Sequence, residues 1–114
     1  MSMSPALSRV TAVGLTDTQL MFLRVELEEC RRSRREQEAD LEQRIVTDGD
    51  PVAQAHVLHV RDVLASLQAA LDRIDDGSYG RCAHCSAPIP FERLELIPHT
   101  DGCVTCLRRL MPWR

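Results

Sequence analysis

Two short cysteine pairs constrain this chain more than any other feature. Cys82-Ala83-His84-Cys85 and Cys103-Val104-Thr105-Cys106 each repeat the C-x2-C spacing, with seventeen residues between them. Each pair can wrap two thiolates around one face of a metal, and two such knuckles complete a tetrahedral zinc site without leaving a position for water or substrate. The expected cofactor is therefore one structural zinc ion held by Cys82, Cys85, Cys103 and Cys106. Disulfides fit less well, because the chain has five cysteines and its first residues lack a secretory leader's apolar run. His84 lies inside the first knuckle, but two complete cysteine pairs leave it no coordination slot. A closed site of this kind holds structure and does no chemistry. Nothing in the sequence pairs a nucleophile with a base or forms a phosphate loop, so the chain reads as a binding protein and not an enzyme.

The rest of the chain reads as helix. In 114 residues there are only four aromatics, Phe22, Tyr79, Phe91 and Trp113. A large globular core is out of reach, and metal binding and helix pairing must carry much of the stability. Thr16 and Gln19 form a capping box, with Leu15 and Leu20 at the staple positions, which starts a helix near Asp17 and runs it to about Thr47. Asp48-Gly49-Asp50-Pro51 supplies a glycine to stop that helix and an Asp-Pro pair to start the next, which runs to about Asp76. Val57, Val60, Leu64, Leu67, Leu71 and Ile74 step by three and four along the second helix.

An antiparallel turn near Gly49 sets these against the first helix, with Leu23 facing Ile74, Leu27 facing Leu71, Cys30 facing Leu67 and Leu41 facing Val57. Arg34 and Gln37 face Leu64 and Val60, so the middle of the seam is polar on one side. Cys30 is expected to be a packed, inert seam residue. The predicted fold is mainly α: an antiparallel two-helix coiled-coil hairpin with a small C-terminal four-cysteine zinc finger. Residues 1–15 are expected as a flexible tail, 16–76 as the hairpin with its tip at 47–51, and 77–114 as the finger with a short C-terminal segment.

Charge excludes some roles. The net charge is −3 and every basic residue is arginine, so no global field draws the chain to nucleic acid. The run Arg31-Arg32-Ser33-Arg34-Arg35 is interleaved with Glu28, Glu36 and Glu38 at helical spacing and reads as a self-neutralised face. His56 and His59 share a helix face with no third ligand in evidence, so they read as surface neighbours. No segment is long and apolar enough to span a membrane. The chain is expected to be cytoplasmic and monomeric.

Residues 70–85, Ala-Leu-Asp-Arg-Ile-Asp-Asp-Gly-Ser-Tyr-Gly-Arg-Cys-Ala-His-Cys, lead into Ile89, Arg93-Leu94-Glu95, Pro98 and the second cysteine pair. This stretch resembles the zinc-finger region of the DksA/TraR family of RNA polymerase regulators, and the hairpin extends the likeness back to about Thr16. The resemblance implies a partner, bacterial RNA polymerase, entered through its secondary channel by the hairpin tip. It implies modulation of initiation with no direct DNA binding. The tip is similar too: Asp50-Pro51-Val52-Ala53-Gln54-Ala55 stands where longer members carry Asp-Pro-Val-Asp-x-Ala. The partner-binding residues implied are Asp48, Asp50, Pro51, Val52, Ala53 and Ala55. Ala53 replaces an acid, which the resemblance implies leaves Asp50, with Asp48 beside it, to act. Asp50→Asn is then expected to reduce the transcriptional effect while leaving folding and binding intact, and Ala53→Asp to restore activity if the carboxylate alone is missing. Family positions that help bind guanosine tetraphosphate fall on Ser66, Ile97 and Leu107, none of them basic, although Arg93 does fall on a basic position. The resemblance therefore implies weak or absent synergy with that nucleotide. Two other readings stay open: a zinc-stabilised adaptor or self-association module, and a thiol redox or zinc-release sensor.

Overall fold

The computed structural model describes residues 14–109. The expected tail before Gly14 and the role of Trp113 lie outside them. Four helices follow in order: α1 (Asp17–Asp48), α2 (Pro51–Asp76), α3 (Phe91–Leu96) and α4 (Val104–Arg109). The first two are the hairpin, about 48 and 39 Å long at 1.5 Å per residue over 32 and 26 residues. The radius of gyration is 17.2 Å, against roughly 13 Å for a compact domain of about 100 residues, so the molecule is a rod with a knob.

The rod's ends are fixed by local chemistry. At the start of α1 the Gln19 N–H donates to Thr16 Oγ1 and the Thr16 N–H donates to Gln19 Oε1, both at 3.0 Å, which completes the capping box. At the tip Gly49 takes φ 62°, ψ 30°, a left-handed conformation that suits glycine, and its N–H closes on the Ile45 carbonyl at 2.9 Å. Asp50 caps α2, and Pro51 occupies the first turn, where its missing N–H costs nothing. Gly77 ends α2 in the same way as Gly49 ends α1, at φ 86°.

Three cross-helix pairs report the register. Arg24 meets Asp75 at 2.7 Å, Arg31 meets Gln68 at 2.6 Å and Glu38 meets Arg61 at 2.9 Å. All three fit one antiparallel alignment, within two residues of the expected one. Arg61 also reaches Glu42 at 2.6 Å, so it clamps two carboxylates one turn apart on α1.

The core is split in two. A basal cluster joins Leu15, Leu23, Leu27, Leu67, Ala70 and Leu71 of the hairpin end to Tyr79, Cys82, Ile89, Leu94 and Cys106 of the finger. A smaller tip cluster holds Leu41, Ala53, Val57 and Val60, with Ile45 and Leu64 packed against it. Between them the α1 side of the seam is polar: Arg31 bonds Gln68, and Arg34 donates to Gln37 at 2.9 Å. Gln37 also meets His56 of α2 at 3.2 Å.

Two expectations need correction. Cys30 is exposed, because the seam steps from Leu27 to Arg31, Arg34, Glu38 and Leu41 and so passes beside Cys30. Both routes satisfy a three-four alternation. The structure takes the one in which Arg31 lays its stem over the seam and spends its guanidinium on Gln68. Leu15, assigned to the tail, is only 2% exposed and belongs to the basal core, which its staple position explains.

Candidate metal centre

The finger is built on the base of the hairpin with little regular structure of its own. After Gly77, Asp76 Oδ1 accepts from the Ser78 N–H at 2.9 Å and the Ser78 hydroxyl at 2.7 Å, turning the chain away from α2. An isolated antiparallel bridge, Arg81 to Pro88, brackets the first cysteine pair. Within it the Cys82 N–H donates to the Ala87 carbonyl and the Ser86 N–H to the Cys82 carbonyl, both at 2.9 Å. The second pair opens α4. It is joined to the first by the Ala83 N–H donating to the Asp101 carbonyl at 2.7 Å.

Four sulfurs converge as a result. The Sγ atoms of Cys82, Cys85, Cys103 and Cys106 all lie within 4.8 Å of one another. Cys85 Sγ and Cys103 Sγ are 3.8 Å apart, which matches the edge of a tetrahedron with Zn–S bonds of about 2.3 Å, itself about 3.8 Å. Backbone donors face the sulfurs: His84 N–H to Cys82 Sγ at 3.4 Å and Cys106 N–H to Cys103 Sγ at 3.5 Å. The backbone of Cys103, aided by those of His84 and Cys85, holds the Cys82 thiol down to about 6. Hydrogen bonds shared with Cys85 and Cys103, together with burial, push the Cys106 thiol up to about 12. Four thiolates this close repel one another unless a cation lies among them, so the donor set fits a divalent metal that displaces the protons. The site holds one structural zinc ion. Cys82 and Cys106 are buried and Cys85 is exposed, so the four-sulfur site lies at the finger's edge.

The loop that delivers the second pair is strapped to the hairpin. Tyr79 Oη donates to the Pro98 carbonyl at 2.8 Å, Arg73 Nη2 to the Thr100 carbonyl at 3.4 Å and Arg93 Nε to the Gly102 carbonyl at 3.5 Å. Burial pushes the Tyr79 phenol up to about 12, so it remains a donor throughout the physiological range. Gly102 leaves room for the Leu107 side chain: a Cβ there would lie 2.9 Å from Leu107 Cδ2 and 3.0 Å from its Cγ, so that side chain would have to shift. Tyr79→Phe is expected to lower the stability of the zinc-loaded protein by about 1 kcal/mol, read by denaturant melts, because it leaves the Pro98 carbonyl without its donor.

The other positions singled out by sequence fall in two places. At the tip, Asp48, Pro51, Val52 and Ala55 are exposed and Asp50 is half-buried. Ala53 is not on the surface: at 1% exposure it faces α1 inside the tip cluster. Sequence reasoning passed over Val46, which is 83% exposed in the last turn of α1 and stands beside the tip with Val52, 74% exposed. Ser66, Ile97, Leu107 and Arg93, far apart in the chain, line one cleft of about 430 Å³ between α2 and the finger. Arg73 and Arg93 are its arginines, and each places one guanidinium nitrogen against a loop carbonyl. His99, also in the lining, is held below its ordinary value by burial and then by the charge of Arg34, so it adds little positive charge at neutral pH.

Among the described residues no helix is long and apolar enough to cross a membrane. Arg32 is paired with Glu29 and Glu36. With Arg31 and Arg34 bonded to glutamines, the arginine run is largely committed within the chain.

Comparison with known proteins bears on the finger and on the fold separately. The family model of the prokaryotic dksA/traR C4-type zinc finger matches residues 77–110. General stress protein 16O of Bacillus subtilis (strain 168) is 41% identical over 39 residues, which is 34% of this chain and 24% of that protein. An uncharacterized protein of Aquifex aeolicus (strain VF5) is 42% identical over 43 residues, 38% of this chain and 30% of its own. The chain thus spans between a quarter and a third of the curated relatives it matches. In three dimensions the likeness is longer. The transcription factor DksA2 of Pseudomonas aeruginosa superposes with a TM-score of 0.68 at 22% identity, over 84% of this chain and 85% of that one. The RNA polymerase binding protein and transcriptional regulator Dks of Chlamydia trachomatis L2 gives 0.54 at 23% identity, over 86% and 93%. At such identities the superpositions establish a shared fold. A dksA/traR-type zinc finger is thus seated on a helical hairpin that shares the fold of the DksA proteins.

Proposed function

We propose that this protein binds bacterial RNA polymerase by inserting its hairpin tip into the secondary channel, and thereby modulates initiation without contacting DNA and without making or breaking a bond. The zinc finger fixes the base, the paired helices set the reach, and the tip presents negative charge to the partner. The protein acts as a monomer in the cytoplasm. The observation that carries this reading is the DksA-type fold itself, spanning 84% of the chain, with acids at the end of the rod farthest from the metal. Ser66, Ile97 and Leu107 bring no basic group to the cleft they share, so guanosine tetraphosphate is expected to add little to the effect.

The test is direct. Zinc-loaded protein is mixed with its cognate RNA polymerase, with and without a competitor occupying the secondary channel, and transcription is measured with and without the nucleotide. Binding lost to the competitor, with a nucleotide-independent effect, is expected. No binding at micromolar protein, or binding indifferent to the competitor, would overturn the channel reading.

A further inference from the structure

The two acids at the tip do different work. Asp50 is turned back into its own helix: Oδ1 accepts from the Val52 N–H at 2.9 Å and the Ala53 N–H at 3.3 Å. As the N-cap of α2, with the positive end of the helix dipole behind it, its carboxylate has one oxygen committed to holding the turn. Asp48 is the reverse case. It is the last residue of α1, exposed, with no hydrogen-bond or ion-pair partner among the described residues. An acid there faces the negative end of the helix dipole, and the last turn of α1 has no basic residue to offset it. Folding accounts for Asp50 and does not account for Asp48. The exposed side chains of Val46 and Val52 flank the same turn, and neither contributes to the core.

We propose that Asp48, and not Asp50, is the effector carboxylate of the tip, meeting a cationic group of the polymerase while Val46 and Val52 cover apolar surface beside it. In this chain the acid that acts has moved to the end of α1, and the one that remains on the α2 side holds the turn together. This assignment rests on the channel reading and adds to it a residue and a partner chemistry. Asparagine caps helices as well as aspartate, so Asp50→Asn removes a charge while keeping the turn. Asp48→Asn removes a charge that opposes the dipole, so it leaves the melting temperature unchanged or slightly raised.

The experiment compares wild type, Asp48→Asn and Asp50→Asn in zinc-loaded form, reading thermal stability, polymerase binding and the transcriptional effect at saturating protein. The expected result is a fall of roughly tenfold or more in the effect for Asp48→Asn, the size of one lost charge contact, with Asp50→Asn within about twofold of wild type. A fully active Asp48→Asn, or a folded Asp50→Asn that is impaired as severely, would overturn the assignment while leaving the channel reading intact. A wild type that fails to bind polymerase would instead remove the channel reading, and the assignment with it.

Discussion

Cys82→Ser is expected to abolish stoichiometric zinc binding and unfold the finger. The reason lies in how little else holds residues 77–109 together. Among the described residues the finger has one isolated bridge and two six-residue helices, too short to persist in water alone. What packs it is the basal cluster, and two of that cluster's members, Cys82 at 2% exposure and Cys106 at 8%, are themselves zinc ligands. Losing the metal therefore removes the centre of the finger and loosens the finger side of the cluster in which Leu23, Leu27 and Leu67 are buried. Structural zinc sites return on the order of 10 kcal/mol or more of binding free energy as folding energy, which exceeds what so small a core can replace. Damage should be graded along the rod. Amides of the finger and basal helix turns should lose hydrogen-exchange protection first, and those around Leu41, Val57 and Val60 last, because the polar stretch at Arg31, Arg34 and Gln37 separates the clusters. A Cys82→Ser protein that kept one zinc per chain and native protection in the finger would refute this account.

How much of this was readable beforehand depends on whether the signal was local. The capping box at Thr16 and Gln19, the left-handed stop at Gly49 and the Asp50-Pro51 start are short-range chemistry, and the structure has each of them. The cysteine pairs were equally legible, because metal geometry restricts spacing directly. The seam was legible in register but not in phase. Choosing Cys30 over Arg31 followed hydrophobicity, whereas the structure follows the side chain long enough to cross the seam and bond Gln68. Seating of the finger on the hairpin left no periodic trace. Tyr79, Ile89 and Leu94 reach the basal core from segments with no repeat to read, and only tertiary structure brings them to Leu23 and Leu27. That Asp50 Oδ1 is engaged in capping α2 was equally hidden, and resemblance to longer hairpins assigns Asp50 the acting role; the cap hydrogen bonds are what set it apart from Asp48.

The same limit reverses one expectation from the sequence. Ala53→Asp, which resemblance to longer hairpins suggests would restore a missing acid, is expected to damage the protein and not to improve it. Ala53 is 1% exposed and packs in the cluster with Leu41, Val57 and Val60, with Ile45 alongside. An aspartate there places its charge among aliphatic groups, and the nearest backbone donor, the Ala53 N–H, already serves Asp50 Oδ1. The carboxylate must either remain buried or push α1 and α2 apart to reach water, and each route weakens a cluster of only four buried side chains. A loss of about 2 kcal/mol or more is expected in denaturant melts, with the tip amides losing hydrogen-exchange protection before the base. Ala53→Ser, smaller and uncharged, should cost less. Transcription should respond in the same direction, because a splayed tip no longer holds Asp48, Val46 and Val52 in one arrangement. Unchanged stability with a gain of activity would mean that the first turn of α2 presents position 53 outward, and that the tip packing described here is not the one the protein uses.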